Sequence, residues 1–380
     1  MELKWDKMKI LHIIDTLEFG GAQTVVKGIF EGQTADQELY LFVLRDSFRN
    51  TIINHKNIYI FPSKRKYSLG PLTALIQFIR HENIKLFHCH LFRSQVFGWI
   101  LKRIYYRNSI LVFHEHGRVF THNPLYFIFL RFTSSRTNLY LAISRATKRN
   151  LMQKARIAEC KIKVLYNFVD LEKYNLDNRK DNYQVKSLPG LGDENFIVGF
   201  AGRLIARKGW RTIILAAEIS RDKIPGIRYL IAGDGKEKNK LVKLIDQKGL
   251  KDKVIYFGYI SDMVAFYALL DCFVIPSHWE PMGLTEIEAQ AMGIPVIASD
   301  VEALNEIIQD KENGLLFTAN DQNKLFEAIR LLSVNKALRK KIVKNGFETV
   351  KNYSVKKYIT NLNIIYDEIL TGKQTIQSRL

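Results

Sequence analysis

Three features of the sequence predict an α/β protein of two domains, each a doubly wound parallel sheet. Short β-branched and aromatic runs alternate with amphipathic segments along nearly the whole chain, the pattern of repeated strand–helix units. The alternation comes in two sets, parted by the polar run Asn175–Ser187 and the turn Pro189-Gly-Leu-Gly, which break every periodicity. The length of 380 residues is enough for two cores of ordinary size. The expected domains are therefore 1–187 and 188–353, with a terminal helical segment, 354–380. In open sheets of this kind ligands bind beyond the carboxyl ends of the strands, so a ligand in the cleft between two such domains is expected.

Composition narrows the class. A chain with 47% hydrophobic and 25% charged residues is globular and not disordered. Its three cysteines, Cys89, Cys160 and Cys272, are scattered and form no C-x-x-C pair, which argues for reduced thiols in a cytosolic protein without a zinc site. The most apolar run, Leu125–Leu130, is far short of the roughly 20 residues that span a bilayer. Ile10–Ile14 is interrupted by His12 and closed by Asp15, so it reads as a first buried strand after a short tail, Met1–Lys7, and not as a signal peptide.

The net charge of +19 is uneven: residues 1–185 hold 29 basic and 15 acidic side chains, the remainder 28 and 23. A basic first half points to an anionic surface or substrate. No helix-turn-helix, RNP-like or zinc-finger pattern accompanies the charge, so nucleic acid is not the expected partner. Anionic lipid headgroups account for the asymmetry.

The first unit of the chain is a strand from Lys9, a turn at Gly20 and Gly21, and a helix aimed at that turn. It lacks the G-x-G-x-x-G fingerprint of dinucleotide binders. Strands at 38–44, 58–61 and 86–90 enclose a helix over 71–81. Ser94–Arg107 has Phe97, Ile100, Leu101, Ile104 and Tyr105 at helical spacing with Lys102, Arg103 and Arg107 at one end, which suits a core-packed helix with a solvated basic end or a membrane-surface helix. Ile110–Glu115 is a strand carrying His114 and His116 at its end. Asn123 then caps a helix with Pro124 at its first position, apolar on every side between Arg118, Arg131 and Arg136. Such a helix is buried or inserted shallowly at a lipid interface.

In the second set, Phe196–Ala201 runs into a turn bearing Arg203, Arg207 and Lys208, where cations could neutralise a diphosphate, and a helix starts near Trp210. Strands follow at 229–232 and 254–258, then a helix over 261–270. Asp271–Ile275 is the strand that ends at Pro276 and Ser277. Thr285 stands three residues before Glu288, a capping-box spacing, and Gly293 with Pro295 stops the short helix before the strand from Val296. Free N–H groups at Met282, Gly283, Leu284 and Thr285 would face the loop of Glu280 and attract phosphate. Helices over 322–332, 336–350 and 354–370 complete the chain.

Glu280-Pro-Met-Gly-Leu-Thr-Glu-Ile-Glu288-Ala-Gln-Ala-Met-Gly-Ile-Pro-Val-Ile-Ala resembles the E-x7-E signature of retaining, nucleotide-sugar-dependent glycosyltransferases of family 4, whose two Rossmann-like domains face across a cleft (the GT-B fold). The likeness extends over most of the chain from Lys9. Gly-Arg203-x4-Lys208-Gly is similar to the family's pyrophosphate clamp, Gly20-Gly21 to its glycine loop near the donor diphosphate, and His116-Gly to the histidine beside the anomeric carbon, although His114 stands where the family has threonine. Tyr166 and Phe168 likewise replace a usual proline and glycine.

The resemblance implies that Glu288 bonds the donor ribose, that Glu280 bonds the sugar and that the last helix crosses back onto the first domain. It implies a hexose or N-acetylhexosamine moved, with retention, from a UDP-linked donor to a glycan or lipid-linked acceptor in cell-surface polysaccharide synthesis. No cofactor is expected beyond that co-substrate, and the absence of a D-x-D triplet predicts no essential metal. The expected place is the cytoplasm, peripherally on the inner face of the membrane. A hydrolysing nucleotide-sugar epimerase of the same fold and a non-catalytic basic lipid- or nucleic-acid-binding protein are the alternative readings.

Overall fold

The computed structural model describes residues 8–18, 20–33, 37–47, 53–63, 65, 68–117, 119, 123–181, 191–192 and 194–372. The chain divides into two compact units, one of Met1–Asn167 with Val355–Leu380, the other of Phe168–Ser354.

The first unit holds seven parallel strands: β1 (Met8–Ile14), β2 (Gln37–Val43), β3 (Ile58–Ile60), β4 (Leu86–His90), β5 (Ile110–Glu115), β6 (Leu139–Ala142) and β7 (Ile162–Val164). Their order is β3-β2-β1-β4-β5-β6-β7, so the winding reverses between β1 and β4. Parallel strands covered on both faces read as continuous apolar runs, and here Ile10, Leu11, Ile13, Leu41, Phe42, Phe87, Leu111 and Phe113 are all fully buried. The second unit repeats the plan with six parallel strands: β8 (Phe196–Ala201), β9 (Ile227–Ala232), β10 (Val254–Gly258), β11 (Cys272–Ile275), β12 (Val296–Ser299) and β13 (Leu315–Phe317). Its order, β10-β9-β8-β11-β12-β13, places the reversal between β8 and β11. Trp210, Tyr229, Ile214 and Leu241 lie in its core.

The expected boundary at 187/188 lies outside the described residues, and the observed division comes earlier, at Asn167/Phe168. Val169 bridges Ser354, and Leu176–Asp181, inside the run read as irregular, is a helix. Arg179 on that helix donates to the carbonyls of Leu270 (2.8 Å) and Gly293 (3.0 Å), using carbonyls that strand and helix ends leave free. These bonds, which a polar sequence does not advertise, attach the segment to the second unit.

The terminal helix, Val355–Thr371, belongs to the first unit. A Cβ built at Gly32 would lie 2.9 Å from the Val355 side chain, a close approach that explains the glycine there. The tail 1–7 and Arg118 lie outside the described residues.

The Ser94–Arg107 prediction is corrected in its second half. An α-helix, Phe92–Ile100, passes into a π-helical turn, Leu101–Tyr105, so the periodicity slips by one residue. Phe97 and Leu101 are buried while Ile104 and Tyr105 are exposed. Lys102 is buried as well, bonded to the Asn138 side chain, and burial pushes its pKa down to about 8. Asn123 caps Pro124–Thr133 as predicted, accepting from the Leu125 N–H at 3.0 Å. Tyr126 and Leu130 of that helix are buried, whereas Leu125, Ile128 and Phe132 are 74%, 63% and 67% exposed.

Candidate active-site groups in the two units

In the second unit the polar groups gather at the sheet's reversal point, where the loops after β8 and β11 lie side by side. Gly209 fixes their spacing. It has φ 67°, and a Cβ there would stand 1.8 Å from the Pro276 carbonyl oxygen, so only glycine lets the Lys208 turn approach the end of β11. The approach brings Lys208 Nζ to 2.5 Å from Glu280 Oε2, which also accepts from the Ser277 hydroxyl at 3.1 Å. The two sequence-predicted residues, 72 positions apart, thus form a buried ion pair. Burial pushes the Glu280 carboxyl up, but the Lys208 ammonium, the Arg207 charge and the Ser277 hydroxyl outweigh it and hold the pKa below the usual range.

Two further cations flank the pair. Arg207 lies with its guanidinium 4.2 Å from the centroid of the Trp279 ring, and its Nη1 is buried without a hydrogen-bond partner. Arg203 is exposed, and its side chain makes no hydrogen bond or ion pair to another described residue. With Lys208 already neutralised by Glu280, these two arginines leave local positive charge and an unused buried donor, an arrangement that attracts an anion.

The helix behind the loop is Thr285–Ala291, only seven residues long. The capping box is not formed: Leu284 occupies the cap position without a side-chain bond, and Glu288 instead accepts from the Tyr267 hydroxyl at 3.0 Å. Burial raises the Glu288 pKa. Two turns give a small dipole, so the cations weigh more than the helix end. Met282 has φ 154°, a conformation rare outside glycine, and such strain clusters at functional loops. Gly283, beside it, would meet Glu286 Oε2 at 2.6 Å if it carried a Cβ.

Glu286 itself was overlooked in the sequence. It is fully buried, neither carboxyl oxygen has a hydrogen-bond partner, and burial together with the Glu280 charge raises its pKa to about 7.

In the first unit, Gly20 and Gly21 follow β1 as predicted, but neither has a left-handed φ: Gly20 is extended at 175°. Nor does space require glycine: a Cβ at Gly21 would meet nothing within 4 Å, and at Gly20 only the flexible Gln23 side chain lies closer than 3 Å. His116 stands just past the end of β5 with Nε2 at 3.1 Å from His90 Nδ1. His12, His88, His90 and His114, on β1, β4 and β5, are buried around it. The sequence signal for them was a histidine-x-histidine pair at each of two strand ends, His88/His90 and His114/His116.

Comparison with known proteins agrees with this layout. The family model described as "Glycosyltransferase Family 4" matches residues 19–173, and that described as "Glycosyl transferases group 1" matches residues 185–349. The chain is 29% identical over 221 residues to the capsular polysaccharide biosynthesis glycosyltransferase CapM of Staphylococcus aureus, a match that spans 56% of each chain. It is also 29% identical over 297 residues to the UDP-Gal:alpha-D-GlcNAc-diphosphoundecaprenol alpha-1,3-galactosyltransferase of Escherichia coli, covering 74% of this chain and 76% of that one. Among solved structures, HepE of Anabaena in complex with UDP and glucose superposes with a TM-score of 0.81 at 21% identity, over 95% of this chain and all of that one, a likeness of fold.

Proposed function

The chain belongs to the glycosyltransferases of group 1 and family 4, and from that premise we propose that it moves a hexose or N-acetylhexosamine, with retention, from a UDP-linked donor to a glycan or lipid-linked acceptor in cell-surface polysaccharide synthesis. The observation that carries the donor reading is the cation cluster at the reversal point of the second sheet, where Arg203 and Arg207 have unspent donors beside the Lys208–Glu280 pair. The relatives whose names include UDP or a lipid diphosphate support the choice of donor and acceptor class.

The chemistry follows from charge. As the sugar leaves, negative charge grows on the nucleotide's terminal phosphate, and preorganised cations stabilise it most where water is excluded. Arg203, Arg207 and Lys208 supply that stabilisation. Before the donor binds, Lys208 is held by Glu280; the incoming diphosphate competes for the ammonium and releases the Glu280 carboxylate to accept hydrogen bonds from the sugar hydroxyls. Glu288, oriented by Tyr267, takes the ribose hydroxyls. His116 hydrogen-bonds the sugar being transferred. No step calls for a metal.

A peripheral membrane contact on the cytoplasmic face completes the reading. Leu125, Ile128 and Phe132 line the exposed side of the Pro124–Thr133 helix, with Arg131 on the same element. Exposed apolar side chains beside arginine suit an anionic lipid surface. No helix among the described residues is long and apolar enough to cross a membrane.

The test is a thermal-shift comparison of UDP with GDP, followed by nucleotide release from a panel of UDP-sugars with and without lipid-linked acceptor. Acceptor-dependent UDP release supports the transferase. Turnover of the donor without acceptor, giving an interconverted sugar, would instead identify an epimerase.

A further inference from the structure

Five histidines and one tyrosine of the first unit are joined end to end. His114 Nδ1 lies 3.2 Å from His88 Nε2, and His88 Nδ1 lies 2.5 Å from the Tyr366 hydroxyl. That hydroxyl is 3.5 Å from His12 Nε2; His12 Nδ1 is 2.9 Å from His90 Nε2, and His90 Nδ1 is 3.1 Å from His116 Nε2. His12, His88, His90, His114 and Tyr366 are fully buried, and His116 at the other end is partly exposed.

Groups of ring nitrogens within 4.8 Å, His12–His88–His90 and His90–His114–His116, raise the question of a metal. The first group does not suit one. Its rings lie within 15–32° of parallel, so their in-plane lone pairs run side by side instead of converging on a point. The short nitrogen–nitrogen approaches pair one ring with the next, as hydrogen bonds do.

A neutral imidazole has one N–H and one lone pair, so each bond in such a chain fixes the direction of the next. The buried Tyr366 hydroxyl has no other hydrogen-bond partner among the described residues, so its proton lies in one of its two bonds, and only two arrangements then satisfy all five: every histidine protonated on Nδ1, or every histidine protonated on Nε2. They differ at the ends. His114 Nε2 is buried and has no hydrogen-bond partner. Unpaired buried N–H groups are rarer than unpaired acceptors, so that nitrogen carries the lone pair. The direction then propagates through His88, Tyr366, His12 and His90 to the partly exposed end.

We infer that this chain holds all five histidines in the Nδ1–H form, and that His116 therefore presents an N–H donor, not a basic nitrogen, at its free edge. His12, His88, His90, His114 and Tyr366 act as positioning residues for it. The neutral state needed is the one burial favours: it pushes the pKa of all five rings far down, His12 and His116 to about 3. The nearest acid in sequence, Glu115, is turned away to Gln95 and Tyr126. For the transferase reading, on which this consequence rests, His116 then donates to an oxygen of the sugar and does not withdraw a proton from it.

Long-range 1H–15N correlation spectra of the full chain labelled with 15N-histidine read the tautomers directly. At pH 7, five rings with a protonated Nδ1 are expected. Any of the five with a protonated Nε2, or loss of these signals with one equivalent of bound Zn2+, overturns the inference. His90→Phe should free His116 to adopt the Nε2–H form preferred in water; an unchanged His116 signal counts against the chain. Should His90→Phe fail to fold, the wild-type pattern alone decides.

A transfer assay then separates this inference from the functional reading. The Asn amide N–H superposes on Nδ1–H and that of Gln on Nε2–H, so His116→Asn should keep at least tenfold more kcat/KM than His116→Gln. Equal loss in both, with five Nδ1–H rings intact, removes His116 from the transfer step and leaves the tautomer assignment standing.

Discussion

The two units share one topology and handle polarity at their strand ends in opposite ways. On β1 and at the ends of β4 and β5 the first unit gathers neutral imidazoles, all but His116 buried, joined to one another and to Tyr366. After β8 and β11 the second unit gathers three cations and three carboxyls, with one ion pair and several unspent groups. Neutral groups tolerate full burial when every donor has an acceptor, whereas charges pay desolvation and keep a need for partners. The contrast teaches that the winding reversal supplies only a place. The first unit's set leaves only its two end nitrogens, on His114 and His116, unspent, whereas the second's leaves several charged groups without partners.

The comparison can be sharpened by removing the incomplete set first. Arg203→Ala with Lys208→Ala should weaken UDP binding by several kcal/mol, at about 1.5–3 kcal/mol for each charge-assisted bond, as read by calorimetry. A loss below tenfold would place the nucleotide elsewhere. Next, Glu280→Gln should lower kcat by about 100-fold while UDP affinity holds or rises, because Lys208 is freed for the phosphate. Undiminished turnover would remove Glu280 from the site.

A smaller effect concerns pH. The Glu286 carboxyl ionises near 4.5 in the unfolded chain but only at about 7 in the fold. Between those values the unfolded chain has lost a proton that the fold keeps, so raising the pH favours unfolding by up to about 3–3.5 kcal/mol. Glu286→Gln should remove that slope, and its denaturation midpoint at pH 7.5 should exceed that of the wild type. Glu280 works in the opposite sense: its lowered pKa adds stability that is lost as the pH falls through the acidic range, so Glu280→Gln should flatten the acid limb of the same curve.

In the first unit, Tyr366→Phe breaks the imidazole chain at its middle and should cost about 1–3 kcal/mol in denaturant unfolding. The smallest effect is at the surface. Leu125, Ile128 and Phe132 changed to Ser should leave stability within about 0.5 kcal/mol and abolish salt-sensitive binding to anionic vesicles. Equal binding of the wild type to neutral vesicles would break the membrane reading.

Most strands could be read from the sequence because a buried parallel strand is a short unbroken apolar run, as at Ile197–Ala201 and Cys272–Ile275. Misreadings fell where the determining partner is distant. Leu176–Asp181 starts at an Asn175 cap, whose side chain accepts from the Asn178 N–H at 2.8 Å, but it is held in place by Arg179 reaching the Leu270 and Gly293 carbonyls, which nothing local announces. Thr285 and Glu288 have capping-box spacing, yet Tyr267 claims the carboxylate. The likeness to a known signature selected Glu280, Lys208 and Arg203 but passed over Glu286, which sits inside the same stretch.

Local pattern alone determined the alternation of strands and helices and the chemical types present near the strand ends, since both depend on residues within a few positions of one another. Pairing was decided by the tertiary structure. Lys208 meets Glu280 because Gly209 lets two loops touch, and His116 is linked to Tyr366, 250 residues away, through two other rings. Hydrogen-bond direction and ionic balance are properties of such neighbours in space, and adjacent letters carry no record of them.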